Sequence, residues 1–194
     1  MQNRTLLIYI VFFICLPLLA LGGGWYEIMD TMVPNGVNKI ITEDPQGQML
    51  FAVGDGGMIL MSKDTARKKG IKPLATLRSI GFAGVDPTIM GQGPVPASRM
   101  ALEKAGLDAA DIDYWEINEA FSIVALNCIK ELGIDPDKVN IKGGGIAIGH
   151  ALGATGIRLT GTLARILELQ NGRYGCANAC VGGGQGVATV LERD

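Results

Sequence analysis

The chain has 194 residues, 48% of them hydrophobic and 19% charged, and its formal net charge is −2. This length allows one good hydrophobic core together with a smaller appended segment. The small negative charge gives no electrostatic basis for binding nucleic acid, which excludes that class of function. The 28 glycines cluster in separate runs. The composition is typical of a globular α/β enzyme domain that carries an extra apolar segment.

The first 24 residues differ from the rest of the chain. Residues 6–21 are continuously apolar, follow Arg4 and contain Pro17. The run is shorter than the roughly 20 residues that a membrane-spanning helix needs, and an internal proline disrupts a helix. It is similar to the hydrophobic part of a signal peptide, with a buried helix or strand as the alternative. Residues 1–24 are therefore predicted to form a signal-like or anchor segment.

Residues 25–72 have no strong hydrophobic period over most of their length and contain several turn-forming pairs, so they are predicted to be mainly a linker. Within them, residues 58–61 have the apolar character of a buried strand. Ser62 and Gly70 are suitable caps for a short helix over residues 63–69.

From residue 73 onward, predicted strands alternate with predicted helices. The alternation favours a sheet covered by helices on both faces, with chemistry gathered in the loops at strand ends. The predicted strands are residues 74–82, 111–117, 174–179 and 186–191, and the predicted helices are residues 96–105, 119–132 and 154–169.

The glycine-rich stretch over residues 142–161 contains the only histidine, His150. The glycines at 143–145 tolerate unusual backbone angles and close approach of other groups. A ring just before the helix predicted at 154–169 would meet free backbone N–H groups at the positive end of the helix dipole. That position suits a neutral imidazole facing a developing oxyanion, although a lone histidine is more often a structural residue.

Two other kinds of site are excluded by the spacing of the residues. The glycine-rich stretch lacks the Lys-Ser/Thr pair of a phosphate-binding loop. One histidine and four scattered cysteines give no zinc-ligand spacing, so no metal site is predicted. Cysteines without regular spacing also favour a reducing compartment over a disulfide framework.

Three polar side chains, Asn118, His150 and Cys180, each fall at a junction between predicted elements; residues 139–141 lead into the glycine-rich stretch that carries His150. This pattern predicts an acid–base site built from a histidine and a thiol that meet in space. The alternatives are that Asn118 is the N-cap of the following helix and that Cys180 is an inert core residue. Cys128 and Cys176 are both interpreted as core residues.

Residues 49–194 resemble the carboxyl-terminal half of a thiolase, either an acetyl-CoA acetyltransferase or a 3-ketoacyl-CoA thiolase. The resemblance implies an α/β thiolase-like half, with a mixed five-stranded sheet and helices on both faces. It also implies that residues 73–194 are the carboxyl-terminal domain and that residues 25–72 include a remnant of the amino-terminal one. The motifs that carry it are GVDP at 84–87, MGQGPVPA at 90–97, NEAF at 118–121, GGGIAIGH at 143–150 and CVGGGQG at 180–186.

The resemblance implies a catalytic role for four residues. His150 is similar to the family's oxyanion-hole histidine, which also helps to activate the nucleophile. Asn118 resembles the residue that holds the water completing that hole, and Gly182 the glycine whose amide serves a second oxyanion hole. Cys180 resembles the cysteine that moves the α-proton of the attacking acetyl group. A thiol with an ordinary pKa near 8.5 suits this step if its pKa is lowered.

The resemblance also implies how substrates bind. Met90 and Phe121 are similar to walls of the family's acyl pocket, and Gly149 is expected to contact the substrate. Acyl-CoA thioesters are the expected substrates, with no cofactor and no metal. The expected partners are copies of the same chain or a complementary thiolase amino-terminal subunit.

The chain departs from the family pattern in several places. It contains no cysteine in the sequence context of the thiolase nucleophile, a serine-containing segment is contracted to FAVGDGG at 51–57, and Ala151 replaces the usual proline. The chain alone is therefore predicted not to turn over. A non-catalytic module that binds acyl-CoA or a protein, and a truncated product without an independent role, are the alternatives. The expected location is cytoplasmic, with possible membrane association through residues 6–21, although the charge bias around that run favours an external domain.

Overall fold

The computed structural model describes residues 26–30 and 58–193. The predicted signal-like segment at 1–24 lies outside the described residues. So does the predicted linker, apart from two strands and one helix. The domain limits drawn from the sequence stay predictions. The described strands are β1 (Tyr26–Asp30), β2 (Met58–Ser62), β3 (Ala75–Gly84), β4 (Tyr114–Ile117), β5 (Tyr174–Val181) and β6 (Gln185–Glu192).

These strands form one mixed sheet in the order β2-β1-β3-β6-β5-β4. The β4–β5 pair is parallel, and the other neighbouring pairs are antiparallel. The mixed α/β class predicted from the sequence is confirmed, but the described part of the sheet has six strands instead of five. The additional strand, β1, lies in the predicted linker, where five residues are too few to show a periodic pattern. It forms because it pairs with β2 on one side and β3 on the other.

Apart from the short α4, the helices occupy the places that the sequence indicates. They are α1 (Lys63–Lys69), α2 (Pro94–Ala105), α3 (Ser122–Leu132), α4 (Gly145–Ile148) and α5 (Thr155–Leu169), with short 3₁₀ turns at Pro87–Gln92, Ala109–Asp111 and Pro136–Lys138. Gly106 and Gly133 end α2 and α3 in the left-handed conformation that glycine adopts without steric cost. The short α4 was not predicted, because its GIAI sequence lies within a glycine-rich run.

Helices cover both faces of the sheet, as predicted. On one face α2 and α3 pack over β4, β5 and β6, and Trp115, Val124 and Val190 lie in that core. On the other face α5 packs over the sheet through Leu159 and Leu163. Alternate residues of a strand face opposite sides. The site therefore depends on which side each residue of β4 and β5 faces.

The parallel pairing of β4 with β5 brings the carboxyl ends of both strands to one edge of the sheet. Ile117 pairs with Asn178, and the next backbone N–H, that of Asn118, donates to the Asn178 carbonyl over 2.9 Å. The glycine-rich stretch returns to the same edge, because the Asn140 N–H donates to the Trp115 carbonyl. No helix within residues 26–30 and 58–193 has the length and apolar character needed to cross a bilayer.

The close approach of α2 to β3 depends on Gly81. A β-carbon at this position would lie 2.0 Å from the Ala97 carbonyl oxygen and 2.7 Å from the Ala101 nitrogen. Both are backbone atoms, so Gly81→Ala is expected to lower the free energy of unfolding by about 1–3 kcal/mol. Denaturant unfolding followed by circular dichroism measures the change.

A matched control is Gly161→Ala within α5, where a new methyl group meets no atom within 4 Å. This variant is expected to raise the free energy of unfolding by about 0.5–1 kcal/mol, because alanine favours a helix interior over glycine. Equal unfolding midpoints for the two variants would show that the packing of α2 on β3 does not require a glycine.

Candidate functional site

Asn118 and His150 lie together at the carboxyl edge of the parallel strands. Asn118 directly follows β4 and is only 1% exposed, and His150 is half-buried in the loop before α5. The Asn118 Nδ2 and His150 Nε2 atoms are 3.5 Å apart. Asn118 is not a helix N-cap, since α3 begins at Ser122 with Phe121 as its N-cap. The amide is therefore free to face the imidazole.

The tautomer of His150 follows from its hydrogen bonds. Thr155 Oγ1 donates to the Ala151 carbonyl over 2.8 Å and lies 2.7 Å from His150 Nδ1. A hydroxyl has one hydrogen, so Thr155 must accept from an N–H on Nδ1. In the neutral ring Nε2 is then an acceptor, and it faces the Asn118 amide group. His150 lies five residues before α5 begins, so it is not at the helix N-terminus itself.

Glu119 holds the glycine-rich turn against the end of β4. Its Oε1 accepts from Asn140 Nδ2 over 2.7 Å, and its Oε2 accepts from the Ile146 N–H over 2.9 Å. The Asn140 side chain in turn bonds to both the N–H and the carbonyl of Ile117. A β-carbon on Gly144 would lie 2.4 Å from the Glu119 carboxyl carbon. The glycine at this position therefore allows the carboxylate to approach.

Sequence reasoning missed both Thr155 and Glu119. Thr155 carries a recognisable signal, because it opens the predicted helix five residues after the histidine. Glu119 begins the helix predicted at 119–132. Its position beside Asn118 is the signal that could have identified it. Gly149, predicted to contact the substrate, has φ of 93° and ends α4. This left-handed conformation turns the chain so that His150 faces Asn118.

Cys180 lies in the core on the α2 and α3 face of the sheet. Cys180 lies near the end of β5, is 8% exposed, and packs with Cys128 and Val124 on the α3 face of the sheet. Within the described residues its thiol makes no side-chain hydrogen bond to Asn118 or His150. Burial raises the pKa of the Cys180 thiol above its usual value. The lowered pKa that a base would need is therefore not present in the chain as described, because apolar surroundings disfavour a thiolate.

The other predicted site residues lie around the same edge. Met90 is in the 3₁₀ turn and packs against the core. Phe121, at the start of α3, is strongly exposed. Gly182 opens the exposed turn between β5 and β6, followed by Gly183 and Gly184, which both have positive φ.

A buried ion pair lies behind the site. The side chain of Glu116 on β4 is fully buried, and Arg158 on α5 approaches it with Nη1 3.8 Å from Oε2. Burial raises the pKa of Glu116 to about 7, although Arg158 opposes the shift and Glu119 adds to it. Neither side chain was identified from the sequence, because the pairing depends on the packing of α5 on β4.

More than half of the chain matches a known domain. The family model described as "Thiolase, C-terminal domain" matches residues 71–193. Over 147 residues the chain is 50% identical to the 3-ketoacyl-CoA thiolases of Salmonella typhimurium and Klebsiella pneumoniae. In each case the match covers 73% of this chain and 38% of the relative. The chain thus spans well under half the length of these curated relatives.

Solved structures give the same result. The crystal structure of the Bacillus anthracis acetyl-CoA acetyltransferase is similar with a TM-score of 0.68 and 47% identity, covering 70% of this chain and 34% of that one. Human mitochondrial 3-ketoacyl-CoA thiolase in complex with CoA is similar with a TM-score of 0.69 and 43% identity, covering 71% of this chain and 35% of that one.

The tautomer assignment is testable because His150 is the only histidine. Thr155→Val removes the acceptor of the Nδ1 proton, so we expect the ring to shift toward the Nε2–H tautomer. The ¹⁵N chemical shifts of the ring nitrogens report this directly. Thr160→Val is the matched control, because the Thr160 hydroxyl bonds to the Gly156 carbonyl on the same helix. Unchanged ring shifts in Thr155→Val would contradict the assignment.

The raised pKa of Glu116 predicts a pH dependence of stability. Below its ordinary pKa of 4.5, the carboxyl is neutral in the folded and in the unfolded chain. Between pH 4.5 and about 7 it ionises only when the chain unfolds. The free energy of unfolding, relative to Glu116→Gln, should therefore fall by up to about 3 kcal/mol as the pH rises through this window. Denaturant titrations at a series of pH values measure it, with Glu103→Gln as an exposed control. A constant difference across the window would refute the prediction.

Proposed function

This chain belongs to the thiolase family, and from that premise we propose that it supplies the acid–base half of a thiolase-type acyltransferase site. The proposed reaction interconverts an acyl-CoA and acetyl-CoA with a 3-ketoacyl-CoA and free CoA. CoA thioesters are its substrates, and no further cofactor is proposed. The observation that carries the proposal is the contact of Asn118 with His150 Nε2, in a ring whose Nδ1–H is held by Thr155. The use of CoA thioesters favours a cytoplasmic location.

His150 acts twice in the acyl-transfer step, first as a base and then as a hydrogen-bond donor. With Nδ1 protonated, Nε2 carries a lone pair that accepts the proton of an attacking thiol. The resulting imidazolium then has an N–H on Nε2, which donates to the oxygen of the thioester as negative charge develops there. The hydrogen bond to Thr155 keeps the ring in the orientation that both steps need.

Asn118 completes the hole for the thioester oxygen. Its Oδ1 is buried and has no hydrogen-bond partner among the described residues. A buried acceptor left unpaired costs about 1–3 kcal/mol. This atom is therefore suited to accept from a water that also donates to the oxyanion, which is the role that the family resemblance implies.

Cys180 is proposed to transfer the α-proton of the acetyl group. Because burial raises its pKa, the thiol stays protonated at neutral pH. A protonated thiol can donate to the carbanion that forms when the carbon–carbon bond of a 3-ketoacyl chain breaks. The same residue acts as base in condensation only if its pKa is lowered in the complete site. We propose that Gly182, in the adjoining turn, supplies a backbone amide to that site.

The acylated cysteine is proposed to come from outside the described residues, on a complementary thiolase amino-terminal half. Cys128 and Cys176 are fully buried, and burial raises the pKa of each thiol to about 12, so neither is a nucleophile. Six apolar side chains on α3, at its N-cap and in the glycine-rich stretch are 60–67% exposed: Phe121, Ile123, Leu126, Ile146, Ile148 and Leu152. A surface of this kind indicates an interface, with such a half or with a second copy of the chain.

Complementation tests the proposal. The purified chain alone is expected not to convert acetoacetyl-CoA and CoA into acetyl-CoA. Addition of the separately expressed amino-terminal half of the Salmonella typhimurium relative is expected to give thiolysis. His150→Ala and Asn118→Ala are each expected to lower that rate at least 100-fold, as loss of an oxyanion-hole donor does. Thiolysis is followed by the loss of 3-ketoacyl-CoA absorbance.

Asn127→Ala is the matched control, because this asparagine lies on α3 and its Nδ2 has no hydrogen-bond partner among the described residues. Turnover by the chain alone, abolished by His150→Ala, would overturn the need for a second half. Binding of acetyl-CoA without turnover in the mixture would instead favour a non-catalytic acyl-CoA-binding module.

A further inference from the structure

Two pairs of side chains connect the end of β4 to the start of α5. Glu116 and Asn118 are two residues apart, so they face the same side of the sheet, toward α5. Thr155 and Arg158 are three residues apart on α5, so they share one face of the helix. Asn118 faces His150, whose ring is held by Thr155, and Glu116 faces Arg158. The two pairs thus join the same two elements about one helical turn apart.

The Glu116–Arg158 pair is buried without other compensation. Glu116 is fully buried, and the Arg158 side chain is only 20% exposed. Among the described residues, both carboxylate oxygens and the three guanidinium nitrogens are buried and make no hydrogen bond. Among the side chains that the structure describes, each charge therefore has only the other to offset its loss of hydration. Loss of either side chain alone would leave the other charge buried and uncompensated, so the pair constrains how β4 and α5 pack.

We propose that Glu116 and Arg158 are positioning residues, whose buried pair holds β4 against the first turns of α5 and keeps Asn118 within reach of His150. The pair touches neither substrate nor reacting atoms and acts through the two residues that do. Its part in catalysis rests on the function proposed above, whereas its part in the geometry does not.

The contact between Asn118 and His150, which the Glu116–Arg158 pair maintains, is sensitive to small movements. The Asn118–His150 distance of 3.5 Å is already at the upper end of hydrogen-bond range. A shift of 1 Å between β4 and α5 would remove the contact, because the ring is tied to α5 through Thr155 and the amide to β4. Misplacement of a catalytic group by about 1 Å lowers rates by up to 100-fold. A pair behind the site can thus control a rate without taking part in the chemistry.

The test uses the full chain and the ring signals of its only histidine. The variants are Arg158→Met, Glu116→Gln and the double variant, compared at pH 8, where Glu116 is ionised in the parent chain. The double variant keeps the test valid if a single variant fails to fold, since removal of both charges leaves none unpaired. Arg165→Met is the control, because it removes an exposed ion pair with Glu168 on the same helix.

We expect the ¹⁵N and ¹H signals of His150 to move in the double variant and to stay unchanged in Arg165→Met. In the complemented enzyme, we expect kcat of the double variant to fall about 10- to 100-fold with KM within twofold, because the misplaced groups act on the transition state. A purely structural pair would lower the unfolding midpoint and leave both the ring signals and kcat unchanged. That result in the folded double variant would overturn the inference.

The two proposals can fail separately. If the complemented chain shows no thiolysis but the ring signals still move in the double variant, the positioning role holds and the proposed function fails. If the complemented parent chain turns over and the double variant keeps parental signals and kcat, the positioning role alone fails.

Discussion

The site depends on one chain of hydrogen bonds, which runs from Asn118 through the His150 ring to Thr155 and the Ala151 carbonyl. The hydroxyl of Thr155 has a single hydrogen and gives it to the carbonyl, so it can only accept from the ring. This restriction fixes which ring nitrogen carries the proton, and with it the direction in which the imidazole can act. A threonine that lies five residues from the histidine therefore decides the chemistry available at Nε2, since the other nitrogen is already occupied.

The rest of the fold can be understood as support for that chain. The parallel pairing of β4 with β5 brings Asn118 to the edge of the sheet, and α5 carries Thr155 to the same edge. Glu119 adds a separate connection, because its two carboxylate oxygens bind both ends of the glycine-rich turn that leads to His150. The glycines of this run are needed for different reasons. Gly144 makes room for a carboxylate, whereas Gly149 supplies a left-handed turn.

Much of this arrangement was predictable from the sequence, for identifiable reasons. Strands and helices from β3 onward follow the apolar periodicity, and the helix ends at Gly106 and Gly133 follow glycine's left-handed preference. Asn118 was predictable because strand ends meet at one edge, and His150 because it is a lone histidine in a glycine-rich stretch before a predicted helix. Glu116 and Arg158 were not, because 42 residues separate them and only the packing of α5 on β4 brings them together. The raised pKa of Cys180 could not be read from the sequence, since a sequence reveals a thiol but not the burial around it.

The exposed surface around the site and the length of the Asn118–His150 contact have a common explanation in the physics of catalysis. A donor stabilises a developing oxyanion strongly only where water is excluded, because the effective dielectric is then low. Here Ile146, Ile148 and Leu152, which lie within four residues of His150 in the chain, are mostly exposed. Covering these side chains would bury apolar area and lower the dielectric around Nε2 in the same step. Hydrogen bonds in an uncovered site are often long and tighten when the site closes. The partner that provides the nucleophile would thus also provide the environment in which His150 can act on it.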